Sequence, residues 1–334
     1  MNRSGRSFVR VLLACLLLSV CYMNFWKYSQ DFKKQPDMYL DVAQGTANAP
    51  QQYRVLVVRT AVFLHNHAHL KIHASFAFID FITALIACFT LLCVLERSAS
   101  FRRSGITAQM LAYAAFLFLC AYYLVWLDWF QRPETLPSAC FVALMLFVLT
   151  LRPSTTTQYV GVAVAVLLLT AAQSLTRADV AVCVYAGIGL TTLLSVGRNL
   201  PQPRSFLLPL SIAACLLGVS VQWIMMHRVY PHANYGDTKV FQILFNLEPP
   251  CLFAVFVFTL PVLWTGWLAL KKRPAADTAL LALLPGAALF FVPWATIGRI
   301  QEVRIFMPFA LCLIPLTVSY VLELTAAHSA VATD

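Results

Sequence analysis

Long apolar runs alternate with short polar segments along the whole chain. A helix that crosses a bilayer needs about 20 apolar residues, and only helices satisfy their own backbone hydrogen bonds in lipid. The pattern therefore predicts an all-α polytopic integral membrane protein with about ten transmembrane helices, forming one transmembrane domain over residues 1–334. The predicted spans are 8–26, 72–95, 106–126, 138–151, 158–175, 179–197, 206–224, 251–270, 278–296 and 305–325.

The basic residues predict how these spans are oriented. Arginines follow the second span (Arg97, Arg102 and Arg103) and the sixth (Arg198), and a Lys-Lys-Arg run begins at Lys271 after the eighth. Such residues mark cytoplasmic loops. With this number of spans they all lie on one side, and both termini are cytoplasmic. The N-terminal apolar run is then an uncleaved first span and not a signal peptide.

The opposite, extracytoplasmic side is predicted to carry most of the remaining polar chemistry. Two longer loops lie there, 27–71 and 225–250, together with six of the seven histidines. The cytoplasmic side is predicted to carry arginine and lysine anchors but few acids. We therefore expect any catalytic or binding site to face the outside.

Composition supports a membrane protein and excludes other classes. Hydrophobic residues make up 60% of the chain and charged residues 11%, whereas soluble domains carry roughly 25% charged residues. The net charge of +10 is explained by anchors at span ends, and no basic cluster with interleaved aromatics indicates nucleic-acid binding. The ten cysteines lie in or beside apolar runs without any CxxC pair, so they are predicted to be buried apolar side chains.

The first outer loop contains a pair of carboxylates with helical spacing. Asp37 and Asp41 are four residues apart, so on a helix they share one face. Such a carboxylate could act as a general base or hold a divalent cation. The alternative is a solvated helix start, where acids are favoured by the helix dipole.

An amphipathic interfacial helix is predicted in the rest of this loop. Arg54, Arg59, His65, His69 and His73 fall on one face of a helix that is otherwise mostly apolar. Their charges could hold a phosphate at the headgroup level, or simply anchor the helix at the interface. The spacing of the three histidines also fits two zinc ligands, but neither an HExxH motif nor a cysteine partner accompanies them. We therefore predict no metal site, and no cofactor is implied beyond a divalent cation as an open alternative.

Six further charged residues are candidates for the same cavity. Asp80 lies inside the second predicted span, where a charge needs a partner or a polar cavity; Arg177 and Asp179, at the turn between the fifth and sixth spans, could supply it. Before the last span, Glu302 can pair with Arg299 three residues earlier on a helix. If that pair forms, Arg304 is free to bind an anion. If the pair does not form, Arg299 is free to bind an anion as well.

The first outer loop resembles the GT-C superfamily of integral membrane glycosyltransferases, which use lipid-phosphate-linked sugars outside the cytoplasm. Asp37 and the run from Tyr39 to Gly45, Tyr-Leu-Asp-Val-Ala-Gln-Gly, are similar to the family's "D…YLxIAxxG" motif. The Tyr-Arg-Val-Leu run from Tyr53 to Leu56 resembles the "YRxL" that follows it in bacterial members. The motif covers roughly residues 8–60. The acid lies one residue closer to the tyrosine than is usual, and no D-x-D pair is present.

This resemblance implies an enzyme of the bacterial inner (plasma) membrane whose active face points to the periplasm or exterior. A polyprenyl-phosphate-linked sugar would be the donor, and a glycan or lipid would be the acceptor. Asp37 first, and Asp41 second, would remove the proton of the acceptor hydroxyl. Arginines and histidines would stabilise the leaving phosphate.

Other functions remain open at the level of the sequence. A multi-span transporter would use Asp80, Arg177 and Asp179 as gate charges, although no internal repeat is visible. A multi-span membrane acyltransferase usually carries a histidine or arginine motif in its first span, which Val11–Trp26 lacks. A non-catalytic partner in cell-envelope polysaccharide assembly is a third alternative, for which the charge of Asp37 would be dispensable.

Overall fold

The computed structural model describes residues 3–33, 36–127, 132–194, 202–233, 241–271, 278–300 and 302–331; within these ranges a few side chains, Asp37 among them, lie outside the description. The described residues form helices joined by turns, without a strand. The prediction of an all-α protein is therefore confirmed for these residues.

Among the described residues, nine helices make up the first part of the bundle. In chain order they are α1 (Arg3–Lys33), α2 (Pro36–Gln44), α3 (Val55–Ala68), α4 (Ile72–Arg97), α5 (Ala99–Arg103), α6 (Ile106–Ala121), α7 (Thr135–Leu149), α8 (Thr156–Leu194) and α9 (Arg204–Ile224). Helices α6 and α9 each continue into a short π-helical turn, Tyr122–Trp126 and Met225–Val229.

Six helices follow. They are α10 (Ile243–Asn246), α11 (Pro249–Lys271), α12 (Thr278–Leu281), α13 (Leu283–Thr296), α14 (Met307–Cys312) and α15 (Ile314–Val331). A 3₁₀ turn, Val303–Phe306, leads into α14. Helix α4 packs between α1 and α7, α14 packs against α7, and α13 and α9 pack against α8.

Helix α8 is a hairpin of two helices that meet at Arg177, whose backbone is non-helical (φ −157°, ψ 91°). Near its start, Tyr159 packs against Phe206 of α9; near its end, the carbonyl of Leu193 accepts a hydrogen bond from Arg204. Residues 159 and 193 would be about 51 Å apart on a straight helix. Both can contact the first turn of α9 only because the chain folds back at Arg177.

Six described helices are long and apolar enough to cross a membrane. They are Phe8–Gln30, Ile72–Arg97, Ile106–Trp126, Thr156–Leu194, Arg204–Val229 and Pro249–Lys271. A seventh candidate is the pair Val303–Cys312 and Ile314–Thr325, which is bent by 51°, and two shorter apolar helices are Thr135–Leu149 and Leu283–Thr296. The chain is thus an integral membrane protein with at least six candidate spans.

The segment between α1 and α4 differs from its prediction at the end of the amphipathic helix. The amphipathic helix ends at Ala68, because His69 adopts a left-handed conformation (φ 55°) and α4 begins at Ile72. A left-handed residue breaks the helical repeat. His65 therefore lies on α3 and His73 on α4, and the predicted histidine stack on one helix is wrong.

Candidate functional site

Helix α2 is held in the first outer loop by its C-terminal residues. Gly45 ends it with a positive φ of 82°, the conformation that favours glycine after a helix. The Gln52 side chain then closes the loop, donating to the carbonyl of Val42 (3.0 Å) and accepting from the amide of Ala47 (2.9 Å). These bonds fix the position of α2 relative to the start of α3.

Tyr39 and Val42 form the buried face of α2. The Tyr39 ring packs on Phe76 of α4, with ring centroids 5.0 Å apart. Burial raises the pKa of the Tyr39 hydroxyl, and nearby Glu134 raises it further. Helix α2 therefore borders a region of buried charge.

A first ion pair joins the start of α3 to the start of α7. Arg54 donates to Glu134 at 2.6 Å, and both side chains are mostly buried. Burial raises the pKa of the Glu134 carboxyl, but Arg54, Arg132 and Arg177, with a backbone hydrogen bond, together lower it by more, so it lies below its usual range. Burial likewise lowers the pKa of the Arg54 guanidinium, but Glu134, Asp179 and Glu302 together raise it by more. Both groups are charged at neutral pH.

A second ion pair stands at the α8 turn. Arg177, which is buried, pairs with Asp179 at 2.6 Å, while the Asp179 side chain is 48% exposed. Arg177 also donates to the backbone carbonyl of Ile305 (2.8 Å) and lies 5.3 Å from the centre of the Phe290 ring. The turn of α8 is thereby joined to the segment before α14.

The third ion pair corrects the predicted pairing before the last helix. Glu302 pairs with the buried Arg304 at 2.6 Å, and not with Arg299. The reason is local: neither Arg299 nor Glu302 lies in a helix, and the 3₁₀ turn of residues 303–306 begins directly after Glu302, so the i−3 helical spacing does not apply. Arg299 instead lies 5.4 Å from the centre of the Phe245 ring.

These ion pairs form one group of charges, which we call the ion-pair cluster. Its members are Arg54, Arg132, Glu134, Arg177, Asp179, Glu302 and Arg304. Arg54 interacts electrostatically with Asp179 and Glu302 as well as with Glu134, and Arg304 interacts with Arg132 and Glu134. Three predicted cations, Arg54, Arg177 and Arg304, are thus brought together from distant parts of the chain.

An apolar cleft of about 490 Å³ lies beside α3, and we call it the α3 cleft. Val55, Phe63, Leu175, Met225 and Val229 are among the residues that line it. At its polar part, Arg59 donates to the Tyr230 hydroxyl at 3.0 Å. The arrangement combines an apolar slot with a cation, which suits an amphipathic ligand.

The segment that follows α2 and the segment that follows α9 also contact each other here. The Tyr53 hydroxyl donates to the carbonyl of Ala233 (3.1 Å), and a Cβ added to Gly45 would lie 3.4 Å from the Tyr230 ring. A larger residue at position 45 would therefore meet both this ring and an unfavourable φ.

The other sequence-predicted residues lie apart from these contacts. His65 interacts with the carbonyl of Leu70 (2.6 Å), and His67 stacks on Phe63 with ring centroids 4.2 Å apart. His69 is exposed. In the part of the chain that the structure describes, no group of three or more His, Cys, Asp or Glu side chains could hold a metal ion.

The predicted acids on α2 and on α4 lie in different environments. Asp41 is exposed and lies two residues, or about 200° around the helix, from the buried Tyr39. The Asp37 side chain lies outside the described residues. Asp80 is buried between α1 and α4 and accepts a hydrogen bond from Asn24 (3.0 Å), while its suggested partners Arg177 and Asp179 pair with each other.

Sequence reasoning missed Arg132 and Glu134 as members of the cluster. Both stand in a short loop next to a proline, where charged residues are common and carry no motif. One feature of the sequence could have indicated Glu134: it stands directly before an apolar run. A carboxylate that is buried at the end of such a run needs a partner of opposite charge. Comparisons with protein-family models, with curated proteins and with solved structures found no match to the chain.

The charged groups at this end of the bundle include donors that suit an anion. The ion-pair cluster contains four guanidinium groups and three carboxylates, and guanidinium groups match phosphate geometry well. In the described part of the chain, the buried Nε of Arg132 has no hydrogen-bond acceptor. The cluster therefore has a surplus of positive charge and a donor available for a ligand.

Proposed function

We propose that this chain is a GT-C-like membrane glycosyltransferase. It moves a sugar from a polyprenyl-phosphate donor to a glycan or lipid acceptor at the extracytoplasmic face of the bacterial inner membrane. The observation that carries the proposal is the ion-pair cluster: four arginines meet beside α2, the helix with the Asp37 and Asp41 pair, and near the α3 cleft.

Ten spans with both termini in the cytoplasm are part of this proposal. The hairpin at Arg177 divides α8 into two arms, so that six candidates become seven. The bent pair and the two shorter apolar helices account for the other three. Under this arrangement the cluster, α2 and α3 all lie outside, opposite the arginine anchors that follow α4. Labelling of single cysteines from either side of the membrane tests the count.

The leaving group of the reaction is a lipid phosphate, and the cluster suits it. Glu134, Asp179 and Glu302 each hold one arginine in a fixed position, which orders the guanidinium groups before the ligand binds. Preorganised donors of this kind stabilise the charge that develops on a leaving oxygen. Arg132, whose Nε lacks an acceptor among the described residues, is available to contact a phosphate oxygen directly.

The lipid part of the donor has a suitable place in the α3 cleft. Its walls are apolar, and Arg59 stands at its polar part with the Tyr230 hydroxyl. Val55 lines the cleft and directly follows Arg54 of the cluster. A polyprenyl chain in the cleft would therefore bring its phosphate to the arginines.

The transfer itself is a substitution at the anomeric carbon. The acceptor oxygen forms a bond to that carbon while the bond from the carbon to the phosphate oxygen breaks, and the phosphate leaves with the electron pair. Asp37 accepts the proton of the acceptor hydroxyl, with Asp41 as the second candidate. Such general-base assistance contributes about 10²–10⁴-fold to the rate.

Asparagine variants of the two acids test this assignment in cells. With expression matched, Asp37→Asn is expected to lower the amount of the glycan product at least about 100-fold because it removes the proton acceptor. Asp41→Asn, whose site is exposed, is expected to have the smaller effect. Glu323→Gln is the matched control, since Glu323 pairs with Ser100 in a different part of the bundle. Full glycan levels in both aspartate variants would contradict the catalytic assignment.

A transporter is the second candidate, because Asp80 and Asn24 form a buried polar pair between α1 and α4. A buried carboxyl inside a span is a common element of proton-coupled transport. Loss of proton-driven uptake in Asp80→Asn vesicles, with glycan levels unchanged in Asp37→Asn cells, would favour it over the transferase.

A further inference from the structure

A second charged pocket lies at the other end of the bundle, and we call it the α4–α6 pocket. It has a volume of about 540 Å³, and its polar lining consists of Arg10, Glu96, Arg97, Arg102, Gln109 and Tyr113. Phe76, next to Tyr39 near the ion-pair cluster, and Glu96 are both on α4 and are 20 residues apart. A helix rises about 1.5 Å per residue, so the two sites are separated by roughly 30 Å.

The charges of this pocket do not cancel. Arg10 pairs with Glu96 at 3.2 Å, and the Tyr113 hydroxyl donates to the same carboxylate oxygen at 2.6 Å. Glu96 is the one acid that lines the pocket in the part of the chain described, against three arginines. The lining therefore keeps two positive charges in excess.

Two of the arginines are held in place by contacts that leave their charge uncompensated. The Arg97 guanidinium lies 4.3 Å from the centre of the Phe147 ring. The Arg102 Nε donates to the backbone carbonyl of Glu96 at 3.4 Å, which is a long hydrogen bond. Both side chains are exposed, so a ligand can reach them.

The depth of the pocket decides which kind of anion suits it. Arg10 stands at the start of the apolar run of α1, and Glu96 and Arg97 stand at the end of the apolar helix α4. The pocket also has apolar walls, to which Val9, Cys93 and Met110 contribute. It therefore lies at the boundary of headgroups and hydrocarbon, where a ligand with a charged head and an apolar body fits both parts.

We infer that the α4–α6 pocket binds the phosphate group of an anionic phospholipid, with Arg97 and Arg102 as its ligands. Arg10 is a further cation of the pocket, which becomes available to the phosphate when it is not paired with Glu96. Guanidinium groups pair with phosphate oxygens through two parallel hydrogen bonds. A soluble phosphate compound presents the same group, and the apolar walls distinguish the two sources because they contribute only to the lipid. This inference is independent of the proposed function.

Binding to the purified full-length protein in nonionic detergent tests the inference. Dioleoyl phosphatidylglycerol is the probe, dioleoyl phosphatidylcholine is the comparison lipid, and native mass spectrometry measures the bound fraction. One arginine near the membrane surface contributes about fivefold to such binding. Arg97→Gln with Arg102→Gln is therefore expected to weaken phosphatidylglycerol binding by about 25-fold.

Arg103→Gln is the matched control, because Arg103 is the neighbour of Arg102 on α5, is exposed and does not line the pocket. It is expected to change binding less than twofold. Equal losses in Arg102→Gln and Arg103→Gln would show diffuse attraction and overturn the inference, as would equal binding of phosphatidylcholine and phosphatidylglycerol to the natural protein.

Glu96→Gln is expected to strengthen lipid binding, which misfolding of the variant could not do. The amide oxygen still accepts from Tyr113, but Arg10 loses its carboxylate partner and becomes available to the lipid. Binding of phosphatidylglycerol is expected to tighten about fivefold; unchanged or weaker binding would contradict the role of Arg10. Inorganic phosphate at millimolar concentration is expected to leave the lipid bound. Its displacement of the lipid would instead assign the pocket to a soluble phosphate and overturn the lipid as ligand.

Discussion

The pair of Arg54 and Glu134 illustrates how single residues set the chemistry of the cluster. Both side chains are mostly buried and 2.6 Å apart, so each charge is costly without the other. Arg54 and Arg132 lower the pKa of Glu134 despite its burial. The ionised carboxylate is therefore the form that the fold stabilises.

Glu134→Gln is expected to lower the free energy of unfolding in detergent by about 3 kcal/mol at pH 7, since it leaves Arg54 buried without its counter-charge. A carboxyl whose pKa is lower in the folded state stabilises the protein above its unfolded pKa, near 4.5, and loses this effect as the pH falls through the folded pKa. The difference between the natural protein and the variant should therefore shrink below pH 4.5.

Thermal unfolding followed from pH 7 to pH 3 measures this difference, with the exposed Glu248→Gln as the control. A control loss as large as that of Glu134→Gln would contradict the special role of the pair, and so would a Glu134→Gln difference that does not depend on pH.

The sequence predicted which arginines belong to the cluster better than it predicted which acid pairs with each of them. Arg54, Arg177 and Arg304 are recognisable as cations at span ends, and they do meet. The acid that pairs with each arginine could not be assigned, because the choice of partner depends on backbone geometry. At the 3₁₀ turn that begins at Val303, Glu302 pairs with Arg304 and not with Arg299. The position of the Asp37 side chain is outside the described residues.

At the scale of elements, the packing of α8 on α13 depends on two glycines. A Cβ on Gly187 would lie 2.5 Å from the Gly286 nitrogen and 2.7 Å from the Ala282 oxygen, and a Cβ on Gly286 would lie 2.8 Å from the Cys183 oxygen. The atoms in the way are backbone, which cannot rotate aside. Close approach of this kind is typical of small residues at helix crossings in membranes.

Gly187→Ala is therefore expected to destabilise the protein by about 3 kcal/mol, because the two helices must separate. Gly161→Ala is the matched control: it lies in the first arm of α8, and nothing is within 4 Å of an added Cβ. That change is expected to be neutral or to stabilise by about 0.5 kcal/mol. Unfolding of both variants in detergent compares them, and equal stabilities would contradict the close crossing.

Helix existence was easier to predict than helix ends. Apolar runs gave α4, α6, α9 and α11 nearly as they are, since lipid requires a helix wherever such a run is long enough. The break at His69 has no apolar signature, because a left-handed residue is a property of the backbone. The tight turn at Arg177 was predicted from charged residues between two apolar runs, and the fold-back of α8 agrees with it.

For the molecule as a whole, two differently charged ends are separated by about the thickness of a membrane. One end holds the ion-pair cluster, in which arginines are balanced by acids and held in a fixed geometry. The other holds the α4–α6 pocket, in which arginines exceed acids. We propose sugar transfer at the first end and binding of an anionic lipid at the second.

Sugar transfer measured in sealed vesicles of known orientation tests the proposed function and its sidedness together. The probe is a polyprenyl-phosphate sugar with a tritium label in the sugar, and the endogenous glycans of the vesicle membrane are the acceptor. Position 46, which is exposed, receives a cysteine (Thr46→Cys), and the unsubstituted protein is labelled in parallel because the chain has ten cysteines of its own. The additional membrane-impermeant label on the variant reports which way the cluster end faces. We expect transfer of tritium to glycan on the side where position 46 is labelled, and loss of transfer in Asp37→Asn. Transfer on the opposite side, or none with the correctly oriented natural protein, would contradict the proposed function.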